Sequence, residues 1–86
     1  MKALVTGGAQ RVGRAISEAL ADAGFDVAIH CHRSTEEAAR LGVDLRARGV
    51  DAITVAGNLA TVEGCAAVTS AVVEAWGGVD VLVHNA

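Results

Sequence analysis

The amino-acid sequence predicts an α/β fold built on a parallel sheet, and three observations carry that prediction. Short apolar runs alternate with amphipathic stretches from one end of the chain to the other. The stretches between the runs are too long for hairpins and have the length of crossover helices, which parallel strands require. The composition is 52% hydrophobic, rich in alanine, valine and glycine, with Phe25 and Trp76 the only large aromatic side chains. Small and β-branched residues suit a sheet covered on both faces by helices.

Ala3-Leu4-Val5 is the first strand. Val12, Ala15, Ile16, Ala19, Leu20 and Ala23 then recur at helical spacing, and Gly24 is placed to end that helix. Val27-Ala28-Ile29 is the second strand. Ser34 and Glu37 have the S-x-x-E spacing of a capping box, opening a helix that Gly49 closes. Residues 53–56 form the third strand. Thr61 caps a third helix, for which Val62, Cys65, Ala66, Thr69, Val72, Val73 and Trp76 are the expected inner face. Gly77-Gly78 ends it, and Val79-Asp80-Val81-Leu82-Val83 is the fourth strand. The order is βαβαβαβ, and right-handed crossovers arrange such strands as 3-2-1-4.

Composition narrows the function classes. With 86 residues the chain is one domain at most, and a small one. A net charge of −3 with scattered basic residues argues against nucleic acid, which demands a clustered basic surface. Before the first strand there is no room for a charged and then apolar leader. The longest uncharged stretch, residues 52–62, is shorter than a membrane span. Cys31 and Cys65 lack CxxC spacing and read as free thiols in a reducing compartment, so the expected location is the cytoplasm.

Chemistry concentrates where the first strand runs into Thr6-Gly7-Gly8-Ala9-Gln10-Arg11-Val12-Gly13. A glycine-rich turn between a strand and a helix gathers backbone N–H groups at the positive helix end, where a phosphate binds without side-chain charge. The G-x-G-x-x-G spacing does not fit: from Gly8 the middle position is Gln10, and from Gly7 the last glycine comes one residue late. At the end of the second strand, His30-Cys31-His32-Arg33-Ser34 holds no carboxylate to bind a ribose 2′-hydroxyl. Arg33 and Ser34, beside His32, instead suit a 2′-phosphate through charge-assisted hydrogen bonds. The preferred cofactor is therefore NADP(H) over NAD(H). A metal on His30, Cys31 and His32 would need further ligands, because Cys31 points opposite the two histidines on a strand.

The pattern resembles the short-chain dehydrogenase/reductase family, whose turn reads T-G-x-x-x-G-[IVL]-G. Thr6, Gly7, Val12 and Gly13 match it, and Arg11 replaces the middle glycine, as in pteridine-reductase-like members. The His-Arg-Ser run is similar to the same NADPH-using branch, and 3-oxoacyl-acyl-carrier-protein reductases resemble the chain as well. The resemblance implies a Rossmann-type fold. It also implies an adenine contact at Asn58-Leu59, where the family usually has aspartate, and a cofactor ribose contact at Asn85 and Ala86. His84 stands where the family's first asparagine varies.

In the family, hydride transfer depends on a Tyr-x-x-x-Lys pair and a serine beyond the fourth strand. The lysine lowers the tyrosine pKa so that the phenol exchanges a proton with the substrate oxygen. Here there is no tyrosine, and Lys2 precedes the first strand. Ser17, Ser34 and Ser70 lack His/Asp companions, so no catalytic residue is assigned. The whole chain, residues 1–86, is thus expected to be the N-terminal dinucleotide-binding portion of a Rossmann-type domain, truncated before the catalytic segment and inactive alone. The parent is expected to reduce a carbonyl or a pteridine-like C=N bond and to form homo-oligomers, with no membrane partner. The rival is a non-catalytic nucleotide-binding module or pseudoenzyme.

Overall fold

A computed structural model describes residues 1–85. Its elements run β1 (Lys2–Val5), α1 (Arg11–Asp22), β2 (Asp26–Cys31), α2 (Thr35–Ala47), β3 (Ala52–Ala56), α3 (Val62–Trp76) and β4 (Val81–Val83). All pairings are parallel and the sheet order is β3-β2-β1-β4. The fold class and strand order predicted from the sequence are those observed. β4 is shorter than expected, because Val79 and Asp80 belong to the approach to it. Asp80 there accepts from the Lys2 amide at 2.8 Å, fixing the start of β4 against β1.

The sheet separates two cores. One face packs Val5, Val27, Ile29, Cys31, Leu41 and Leu45 with half-buried Ile16 and Leu20, under α1 and α2. The other packs Ala28, Val55, Val68 and Val72 with Leu4, Ile53 and Trp76, under α3. β2 is buried on both faces, the expected state of an inner parallel strand.

Helix ends follow local chemistry. After α1 the Gly24 amide donates to Ala21 O and the Phe25 amide to Leu20 O, with Gly24 at φ +92°. That is a Schellman ending, and the left-handed residue it needs is the expected glycine. At α3 the Thr61 hydroxyl accepts from the Gly64 amide at 2.9 Å, and Gly77, left-handed, ends the helix.

Three expectations are corrected. The capping box at Ser34 does not form: Ser34 makes no side-chain capping bond, and Glu37 accepts from Gln10 Nε2 at 2.9 Å. A longer-range partner outcompetes the local one. The inner face of α3 is Gly64, Val68, Ala71, Val72 and Trp76, whereas Val62, Cys65, Ala66, Thr69 and Val73 are exposed. The inner face of α1 is Gly13, Ile16, Ser17, Leu20 and Ala21, leaving Val12, Ala15, Ala19 and Ala23 exposed. In both helices an alanine- and valine-rich sequence offers more than one apolar stripe, so periodicity alone does not select the buried one.

Candidate functional site

Parallel pairing puts every strand's carboxyl end on one edge of the sheet. The chain reverses direction of build between β1 and β4, and ligands of open α/β sheets bind at that switch point. There the turn from β1 into α1 meets the ends of β2, β3 and β4.

The turn is held from three sides. Thr6 donates its amide to Val83 O at 3.0 Å, and its hydroxyl accepts from the Asn85 amide at 2.8 Å. Asn85 Nδ2 donates to Gly7 O at 3.1 Å. From β2, His30 Nδ1 accepts from the Gly7 amide at 3.0 Å, and the His30 carbonyl accepts from the Gly8 amide at 2.9 Å. From inside α1, the fully buried Ser17 hydroxyl lies 3.1 Å from Gly8 O and 2.9 Å from Gly13 O. Gly7 adopts φ +61°. A Cβ on Gly13 would collide with Gly7 O and reach Asn85 Nδ2, so this helix can approach the turn only through glycine.

Arg11 is the one described non-glycine residue with positive φ, at +53°. It occupies a left-handed position that an L-residue takes at a cost, the physical reason for the family's glycine there. Past Arg11, the amides of Val12 and Gly13 lie in the first turn of α1, which has no intrahelical acceptors for them. No acidic residue sits in that turn, so the positive helix end is left uncompensated for an anion.

A cavity of about 290 Å³ opens beside the turn, lined by Gly7, Ala9, Gln10, His30, Cys31, His32, Arg33 and Ser34. Burial, then the Glu37 charge, pushes the Cys31 thiol up from 9.0, so it stays protonated at the cavity wall. A second cavity of about 380 Å³ is lined by His30, His32, Asn58, Leu59, Ala60 and His84. Asn58 Oδ1 accepts from the Ala60 amide at 2.9 Å and its carbonyl from the Thr61 hydroxyl at 3.0 Å, which makes Asn58 a turn-former as well as a wall.

The edge thus brings together Thr6, Gly7, Arg11, Val12, Gly13, His32, Arg33, Ser34, Asn58, Leu59 and Asn85. Ala86 lies outside the described residues. His30, Gln10 and Ser17 were missed as supports of the turn. Only the fold could reveal them, although a histidine at an otherwise apolar β2 position was a readable signal.

The short chain dehydrogenase family model matches residues 1–86. The chain belongs to that family. This short-chain dehydrogenase segment is 38% identical over 84 residues to the 3-oxoacyl-acyl-carrier-protein reductase of Staphylococcus aureus, covering 98% of this chain and 34% of the relative. It is 43% identical over 102 aligned residues to pteridine reductase 1 of Leishmania tarentolae, covering 98% of this chain and 35% of the relative. Among solved structures, the alternative dihydrofolate reductase 1 of Brucella canis complexed with NADP superposes with a TM-score of 0.87 at 40% identity. That match covers 99% of this chain and 34% of the other. The segment spans about a third of the length of the curated relatives it matches.

Proposed function

We propose that residues 1–86 are the NADP(H)-binding portion of a cytoplasmic short-chain dehydrogenase/reductase that transfers hydride to a carbonyl or pteridine-like C=N bond. The observation that carries the reading is the cavity shared by the glycine turn, Arg33 and Ser34, with no carboxylate among its lining residues. The failed capping box supports it, since the Ser34 hydroxyl makes no capping bond and Glu37 is engaged by Gln10.

The residues present fit such a cofactor. The unpaired first-turn amides of Val12 and Gly13 would hold the pyrophosphate, at a helix start that packs against the turn through Gly13. Arg33 and Ser34, with His32, would hold the 2′-phosphate; Asn58 and Leu59 would flank the adenine, and Asn85 and Ala86 the ribose. Arg11 adds a cation for a phosphate or for substrate. When bound, the cofactor supplies the hydride. This segment's own work is to bind and orient it, and no residue here moves the proton.

The relatives named as pteridine and 3-oxoacyl reductases and the neighbour complexed with NADP support the cofactor and the two substrate classes. A homo-oligomeric parent is the family's expected state. The test uses the complete protein that carries this segment. NADPH should bind more tightly than NADH, and Arg33→Ala should remove most of that gap, about 10- to 100-fold for one charge-assisted contact. Equal affinities in the unmutated protein overturn the NADP(H) assignment. Hydride transfer from NADPH to a dihydropteridine or a 3-oxoacyl thioester decides between substrate classes. Tight binding without turnover of either favours a non-catalytic module.

A further inference from the structure

We infer that His30 is a positioning residue: its imidazole, taking the Gly7 amide on Nδ1 and giving its Nε2 proton to Gly57 O, clamps the anion-binding turn to the loop after β3. The inference rests on the dinucleotide reading above for the identity of the anion, not for the clamp itself.

Hydrogen-bond chemistry fixes the tautomer. His30 is 3% exposed and uses both ring nitrogens. Nδ1 faces the Gly7 amide, which can only donate, so Nδ1 must carry a lone pair. The proton is therefore on Nε2, 2.9 Å from Gly57 O, which can only accept. One ring thus joins the loop after β1 to the loop after β3, the two loops that wall the phosphate and adenine cavities. The His30 carbonyl takes the Gly8 amide as well. With Gly7 and Gly8 both committed to His30, their amides are turned into the sheet, and the anion is left to the helix-start amides beyond them.

The test uses the complete protein with ADP-ribose as probe, because it carries the pyrophosphate without the titrating 2′-phosphate. Nitrogen NMR should show the His30 ring proton on Nε2, with the Gly7 amide protected from exchange. His30→Leu, which offers no acceptor, should lose Gly7 protection and bind ADP-ribose roughly tenfold more weakly. His30→Asn keeps an acceptor for Gly7, so it should recover most of both. An Nδ1-protonated ring, or Gly7 protection and ADP-ribose affinity unchanged in His30→Leu, overturns the clamp. If ADP-ribose does not bind while Gly7 protection still depends on His30, the dinucleotide reading fails and the clamp stands.

Discussion

At Arg11 the backbone and the side chain make opposed demands. Its φ of +53° costs about 1–2 kcal/mol for an L-residue, while a glycine there would lose about 0.5–1 kcal/mol through the freer unfolded chain. Arg11→Gly is therefore expected to raise unfolding free energy by about 0.5–1 kcal/mol, measured by denaturant titration. Arg11→Ala should leave stability near its starting value. If the guanidinium touches a cofactor phosphate, both variants lose affinity equally, and that equality separates backbone from side chain. The cysteines differ in a similar way. Cys31 is buried with its thiol pushed up from 9.0, whereas Cys65 is exposed. Alkylation should label Cys65 in the folded protein and Cys31 only on unfolding. The folded state holds the Cys31 proton where the unfolded state releases it, so stability falls as pH rises past about 9. Cys31→Ala should lose less stability than the parent over that rise.

Among the elements, α3 shows how backbone contact sets a helix's position. A Cβ on Gly64 would collide with Asn58 O, because the first turn of α3 lies directly on the loop leaving β3. Gly64→Ala is expected to destabilise by roughly 1–3 kcal/mol and to shift Asn58 and Leu59. A thermal melt and the cofactor's adenine contact would report the two effects separately. An equally stable variant would show that this loop yields without cost. The same close approach explains why the buried stripe of α3 runs through Gly64 and Val68 rather than through Val62 and Cys65.

Across the whole molecule, one cation joins two helices on the same sheet face. Arg48, just past α2, reaches Glu18 and Asp22 of α1 at 2.9 and 3.0 Å and Asp44 of α2 at 2.9 Å. The side-chain bond to Asp22 leads the causes that raise its pKa, so the guanidinium stays charged. Arg48→Ala should lower the melting midpoint, and added salt should shrink the difference, as expected for a solvent-facing network. The other face is thinly covered near β4. Leu82 is 59% exposed and, with Leu4 and Val73, lines an apolar hollow. Residues 1–86 expressed alone should self-associate through that surface and the open edge of β4, and Leu82→Lys should reduce association in sedimentation. A sharp, monomeric unfolding transition would show this core to be sufficient.

Alternation of apolar runs with helix-length spacers determined the α/β class, the strand order and the turn at residues 6–13. Strand and helix patterns are local, and right-handed crossover leaves few alternatives. Thr61 and Gly24 were equally legible because caps and left-handed turns are decided within a few residues. Tertiary structure alone decided which stripe of α1 and α3 is buried, since each offers several small apolar faces and only contact with the sheet selects one. It also moved Glu37 from Ser34 to Gln10, and it turned His30 from a strand residue into the tie between two loops. Those outcomes depend on partners distant in the chain, whose distances and hydrogen-bond directions exist only once the sheet has formed.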